Sequence, residues 1–202
     1  MIIDPNNRPE KPEYDGPEQA PEGKMVLVPV GMRRWKSSKG NPQVEFGFVV
    51  FDALGDLTDE EIAAAQGSIC SGSIPVMESM AWKWGDFGVA MGATDPFNPQ
   101  VDSDLQKVLS EGFCVGVVVH SEPNDKGHVY ANVDKFEEPP GGYELPEGPA
   151  FEEMLQKAKE NWQKKLEYDA KRAAKEKETA GKKPNRGARR GGGGRKDDDI
   201  PF

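Results

Sequence analysis

The chain has 202 residues, a formal net charge of −9, 36% hydrophobic residues and a mean hydropathy of −0.72. That length allows one modest domain with appendages or two very small ones, and the low apolar content leaves sizeable parts outside any core. No run approaches the roughly 18 apolar residues of a membrane span, no charged–apolar–small leader opens the sequence, and Cys70 and Cys114 lack the short spacing of a metal pair, so a soluble, cytosolic chain without a disulfide is expected.

Residues 1–23 carry Pro5, Pro9, Pro12, Pro17 and Pro21 among acids and asparagines, which predicts a disordered or polyproline-like arm. From 24 to 137 the pattern is that of a β-rich domain. Met25 to Lys36 reads as a first strand, with Val26, Val28, Val30 and Met32 sharing one face. The polar turn Ser37-Ser38-Lys39-Gly40-Asn41-Pro42 returns the chain into a second strand through Phe51. Thr58, with Glu61 three residues on, caps a short helix over 56–66. Residues 68–77 supply a strand broken by Gly72 and Pro75. Residues 78–91 form a helix or loop-helix over one barrel end, with Trp82 and Trp84 as packing residues. A turn-rich loop at 95–100 and a short helix at 102–110 precede a buried strand over 112–120. A turn through Asn124 and Gly127 then leads into a last strand over 128–136.

This order predicts a mainly β fold: a five-stranded OB-like barrel with short helices, an irregular β-sandwich or another small barrel being the alternatives. Residues 138–149 are a linker. Phe151, Leu155, Trp162 and Leu166 recur at helical spacing in a charged amphipathic helix over 150–180, which docks on the barrel, pairs with a copy of itself or stands in solvent. Residues 181–196 are a Gly/Arg-rich tether, and 197–202 an acidic tip.

The tip reads Asp197-Asp198-Asp199-Ile200-Pro201-Phe202. Carboxylates on a tether belong to no core, and the Ile-Pro-Phe tip gains only where another surface buries it; a Phe side chain contributes roughly 1.5–3 kcal/mol on burial. The six residues resemble, one for one, the acidic tip of bacterial single-stranded-DNA-binding proteins. The resemblance implies a partner-binding segment that recruits replication, recombination and repair proteins, beside a separate OB-fold domain that holds single-stranded DNA. The body lacks that family's N-terminal strand pattern. With Pro21-Glu22-Gly23 and the turn Ser38-Lys39-Gly40-Asn41-Pro42, it resembles more loosely the OB-like single-strand binders encoded by bacteriophages, which implies a home in the cytoplasm of a bacterial host cell.

The negative net charge does not exclude nucleic acid, because the charges are segregated. Lys24, Arg33, Arg34, Lys36 and Lys39 form one acid-free run, and Lys182, Lys183, Arg186, Arg189, Arg190, Arg195 and Lys196 another. A single-strand binder needs aromatic faces for bases and cations for phosphates. The candidates are Arg33, Arg34, Trp35, Lys36 and Lys39 on the first hairpin, Phe46 and Phe48 across it, and Tyr130 and Lys135 on the last strand. His120 and His128 flank a turn but lack further ligands for zinc, and Asp95, Asp102 and Asp104 read as solvated loop acids. No catalytic constellation is found, so no enzyme, cofactor or metal is expected.

The expected function is a protein that coats and protects single-stranded DNA without sequence preference and recruits partners through its tip; self-association is left open. The alternatives are an interaction protein that mimics the host tip and binds no DNA, and a recombination mediator or annealing protein. Competition of DNA and tip for the same cations is an expectation; it predicts that deleting residues 197–202 tightens binding of a single-stranded oligonucleotide at low salt, measured by fluorescence titration.

Overall fold

The computed structural model describes residues 20–181 apart from 38, 56 and 123–128. The Pro-rich arm up to residue 19, the start of the expected helix at Asp56, the turn that contains His128, the tether from 182 and the tip lie outside the described residues. The chain divides into two units, Met1–Tyr168 and Asp169–Phe202. Of the second, the described part is the helical segment 169–181.

Five strands close into an OB-like ring in the order β1-β2-β3-β5-β4. They are β1 (Gly23–Lys36), β2 (Pro42–Leu54), β3 (Ile69–Pro75), β4 (Cys114–His120) and β5 (Ala131–Glu137). All pairs are antiparallel except β3 with β5, a parallel contact at Ser71↔Asn132. Helix α1 (Asp59–Ala65) links β2 to β3, α2 (Ala81–Ala90) and α3 (Asp102–Glu111) link β3 to β4, and α4 (Pro149–Gly181) follows β5. The capping box predicted for α1 is present: Thr58 Oγ1 accepts from the Glu61 amide and Glu61 Oε2 accepts from the Thr58 amide. Those bonds from Thr58 hold the Glu61 carboxyl below the usual carboxylate range.

Two irregularities in the β1–β2 ladder, an extra Phe51 in β2 and an extra Val30 in β1, set which side chains face inward. The register against β2 slips between Val26 and Leu27 and again between Pro29 and Gly31. Met25, Leu27 and Met32 therefore belong to the interior cluster, whereas Val28 and Val30 belong to a second cluster on the outer face. The face predicted from simple alternation, which grouped Met32 with Val28 and Val30, is corrected on this ground. Pro29 is tolerated because β1 pairs with β4 only from Gly23 to Leu27, so no ladder on that side needs its missing N–H.

The interior is aromatic. Phe46 stacks on Phe87 of α2 with centroids 4.6 Å apart, and Phe87 meets Phe136 of β5 edge-on at 5.1 Å, so α2 closes one end of the ring. Trp84 is buried as expected and its indole N–H donates to the Pro75 carbonyl at 3.0 Å. Gly72 does not break β3. It stands at the closing seam, where a Cβ would lie 2.9 Å from the Phe136 ring, so glycine there is what lets that ring fill the join.

Of the three placements left open for the last helix, the structure selects docking on the ring for its part up to Tyr168. Gly31 and Gly47 are cross-strand partners, and the Trp162 indole lies flat over both. A Cβ at Gly47 would sit 2.4 Å from the indole, and one at Gly31 2.7 Å. Phe151, Leu155, Ala158 and Leu166 extend the contact over Val28, Val30 and Val49. Truncating a buried Trp costs about 3–5 kcal/mol, and forcing a methyl under the ring about 1–3 kcal/mol. Trp162→Ala and Gly47→Ala should each lower the unfolding free energy from urea titration by those amounts; an unchanged value in both would mean that α4 is not seated.

Candidate nucleic-acid interface

The β1–β2 turn is built from its own polar groups. The Gly40 amide donates to the Ser37 carbonyl at 2.8 Å, the Asn41 amide to Ser37 Oγ at 3.2 Å, and Gly40 takes φ +82°, a value that favours glycine. This tight turn sets the register in which Trp35 opposes Gln43 and Arg33 opposes Glu45 on the outer face. Trp35 is 40% exposed at the end of the strand. Lys36 and Lys39 beside it are exposed, and neither is ion-paired to a described residue.

The two arginines of the same run are engaged. Glu45 is 5% exposed, yet its carboxylate is matched on both oxygens: Arg33 at 2.5 Å and Lys165 of α4 at 2.8 Å. Lys165 Nζ also lies 4.9 Å from the Trp162 ring centroid, a cation–π contact that links this ion cluster to the seated indole. Removing one member of such a cluster is costly because the remaining charges stay desolvated. Arg34 alternates to the other side and meets the start of α3 and the residues before it, with Nε 2.6 Å from Asp102 Oδ1 and a guanidinium N–H donating to the Pro99 carbonyl at 3.0 Å.

Phe46 and Phe48 are fully buried. Their cross-strand partners are Met32 and Pro29, so they point into the ring, and neither offers a face to a base. This corrects their assignment to the DNA surface: the regular ladder from the turn sets Phe46 opposite Met32, one residue on from the Arg33–Glu45 pair, and so on the opposite face from Arg33 and Trp35. Tyr130 is half-buried just ahead of β5, where its amide and carbonyl bond to Ser121 and close the base of the β4–β5 hairpin. Lys135 is exposed on β5 and lines a recess of about 290 Å³ with Trp82, Lys83, Asp86 and Asp134, a recess that none of Trp35, Lys36 and Lys39 reaches. Trp82 departs from its expected packing role, because it is 63% exposed. The tip residues Asp197, Asp198, Asp199, Ile200, Pro201 and Phe202 lie outside the described residues.

The remaining chemical candidates are occupied. Asp95 pairs with Lys107 at 2.9 Å, Asp102 with Arg34, and Asp104 accepts from the Asn98 amide at 2.9 Å. His120 Nε2 lies 2.8 Å from the Ala20 carbonyl, and the His120 amide donates to Glu22 at 2.7 Å. No group of three or more His, Cys, Asp or Glu among the described residues is placed to hold a metal ion. No helix of the described residues is long and apolar enough to cross a membrane. Comparison with models of known protein families gives no match, and comparison with curated protein sequences gives none either.

Cys70 and Cys114 are free and buried in the interior cluster. Burial pushes the Cys114 thiol up to about 12 and raises Cys70 further, with the neighbouring Cys114 adding to the shift. The folded values lie above the unfolded ones, so this contribution to stability is complete below the unfolded pKa and fades as pH rises past it. Denaturant midpoints should hold to about pH 8 and fall by about pH 9.5, and the fall should shrink in a Cys70→Ala/Cys114→Ala variant.

Proposed function

We propose that the chain binds single-stranded DNA without sequence preference, coats and protects it, and recruits replication, recombination and repair proteins through residues 197–202. The observation that carries this reading is Trp35: a large aromatic ring left 40% exposed at the end of a strand, beside two lysines with no acid partner among the described residues. A ring offers a stacking face to any base, and the lysines supply charge for phosphates, which is the chemistry of sequence-tolerant single-strand binding. The OB-like strand order supports it, since such rings carry nucleic acid on their outer surface and hairpin loops. The six-residue match to the bacterial tip supports the recruiting role and a setting in the cytoplasm of a bacterial cell, as a bacteriophage protein.

The seated α4 narrows the proposed path. It covers the outer face of β1 and β2 around Gly31 and Gly47, which leaves the tip of the first hairpin as the proposed surface for DNA. Arg33 and Arg34 then act as structural cations, and Lys36 and Lys39 as the phosphate contacts.

The neutralised arginines also favour a second reading, in which the chain binds no DNA and uses the tip to recruit or block host enzymes. Titration of the full chain with oligo(dT), followed by Trp fluorescence at several salt concentrations, separates the two. Binding should quench fluorescence, Trp35→Ala should cost about 1–3 kcal/mol, and Lys36→Ala/Lys39→Ala should flatten the logarithmic salt slope by roughly 1.4. No quenching at low salt would leave the tip-mimic reading. Faster pairing of complementary strands in the same preparation would add an annealing role.

A further inference from the structure

Helix α2 carries on its outward side an arrangement that neither the ring nor the DNA-binding reading uses. Its inner face is committed to the interior through Trp84, Phe87 and Ala90. Its outer face presents Trp82 at 63% and Val89 at 56% exposure, with Met77 at 41% just ahead of the helix. Large apolar side chains exposed together, two helical turns apart on one face, mark an interaction surface more often than a solvated one.

Gly85 sits between them, at i+3 from Trp82 and i−4 from Val89, on the same face. Glycine in a helix interior is unfavourable relative to alanine. Elsewhere in this ring glycines are required by close neighbours, as at Gly31, Gly47, Gly72 and Gly88. At Gly85 an added Cβ would meet nothing within 4 Å, and no positive φ demands glycine there. Nothing within the described residues accounts for it. A backbone or ring approaching from outside would.

The charges on this face indicate what approaches. Lys83 and Asp86 lie on one flank of α2, and neither is ion-paired to a described residue. When two copies of a helix pack antiparallel about a two-fold axis, each flank meets its own copy. Lys83 of one chain then faces Asp86 of the other, twice, with Gly85 at the crossing and Trp82 against Val89. The indole has somewhere to go: beside Val89 and Gly85 lies a groove of about 540 Å³, lined also by Met77, Trp84, Gly88 and Phe97. A single strand of DNA fits this face less well, because Asp86 and Asp134 lie beside Lys83 and Lys135 around Trp82, and Glu137 is already paired with Lys24.

We infer that the outer face of α2 is a self-complementary interface through which two copies of this chain associate, crossing at Gly85. The contact is a single helix with a short flank, so the dimer is weak and forms in the range of roughly 1–100 µM.

Sedimentation velocity of the full chain over that range tests the interface. The wild type should shift from monomer toward dimer with concentration, and Val89→Asp and Gly85→Leu should each raise the dissociation constant at least ten-fold. Gly85→Leu should at the same time raise the melting temperature of the monomer by about 2–4 °C, which separates a lost interface from a damaged fold. Lys83→Glu and Asp86→Lys should each weaken the dimer, and the double variant K83E/D86K should restore it. A chain that stays monomeric throughout overturns the inference, as does a dimer untouched by Val89→Asp and Gly85→Leu. A monomer whose oligo(dT) affinity falls with Trp82→Ala overturns it too, and assigns the face to nucleic acid instead.

Discussion

The seat of Trp162 on the Gly31–Gly47 pair is the contact on which the rest of the ring's outer surface depends. Two glycines placed opposite each other in an antiparallel pair leave a flat area of bare backbone, and a planar indole is the side chain that fills it best. Once the ring is seated, α4 must run across β1 and β2, which brings Lys165 over Glu45. That carboxylate sits beneath the helix and would be an unpaired buried charge without Arg33 and Lys165 on its two oxygens. The glycine pair, the tryptophan and the three-membered ion cluster form one unit, and none of its members has a reason to be what it is without the others.

This unit redistributes the chemistry of the surface. In a bare five-stranded ring the outer face of the first hairpin would be open along its length. Here its middle is covered and its cations are divided: Arg33 and Arg34 are held by Glu45 and Asp102, whereas Lys36 and Lys39 at the turn remain exposed. Among the described residues, exposed aromatic surface is left in two places, Trp35 at the end of β1 and Trp82 on α2. They differ in surroundings: lysines accompany the first, and a mixture of aspartates and lysines the second. A ring beside cations suits an anionic polymer. A ring beside charges of both signs suits a protein surface of matching pattern.

Much of the fold was legible in the residues because its signals are local. The polar turn after Lys36 marks the first hairpin, the Thr58–Glu61 pair marks the start of α1, and the run from Cys114 to Val119 marks a buried strand. Phe151, Leu155, Trp162 and Leu166 mark the contact face of α4. Faces were harder to read than elements. The extra residue Val30 in β1 shifts the alternation there, and nothing in the spacing of Val26 through Met32 announces it; Phe46 and Phe48 face inward by the regular ladder from the turn, which pairs Phe46 with Met32. The Arg33–Glu45 contact has a signal in the residues: both count equally from the Ser37–Asn41 turn, which sets them opposite each other. Lys165, far along the chain, had none. Gly72 was misjudged because glycine in a strand usually weakens it, and only the position of Phe136 across the seam gives it a purpose.

The join between β3 and β5 carries one further consequence. Every other pairing in the ring is antiparallel and extends over several residues, but here a single parallel contact, Ser71 with Asn132, holds two strands that are remote in sequence. Bringing such distant segments together is entropically expensive and is rewarded only after the intervening helices have condensed. The hairpin of β1 and β2 closes a short loop and can form early, whereas the β3–β5 join, like the β1–β4 pairing, spans distant segments. In the finished molecule that same stave of the cask is held less by its ladder than by the aromatic packing of Phe136 behind it.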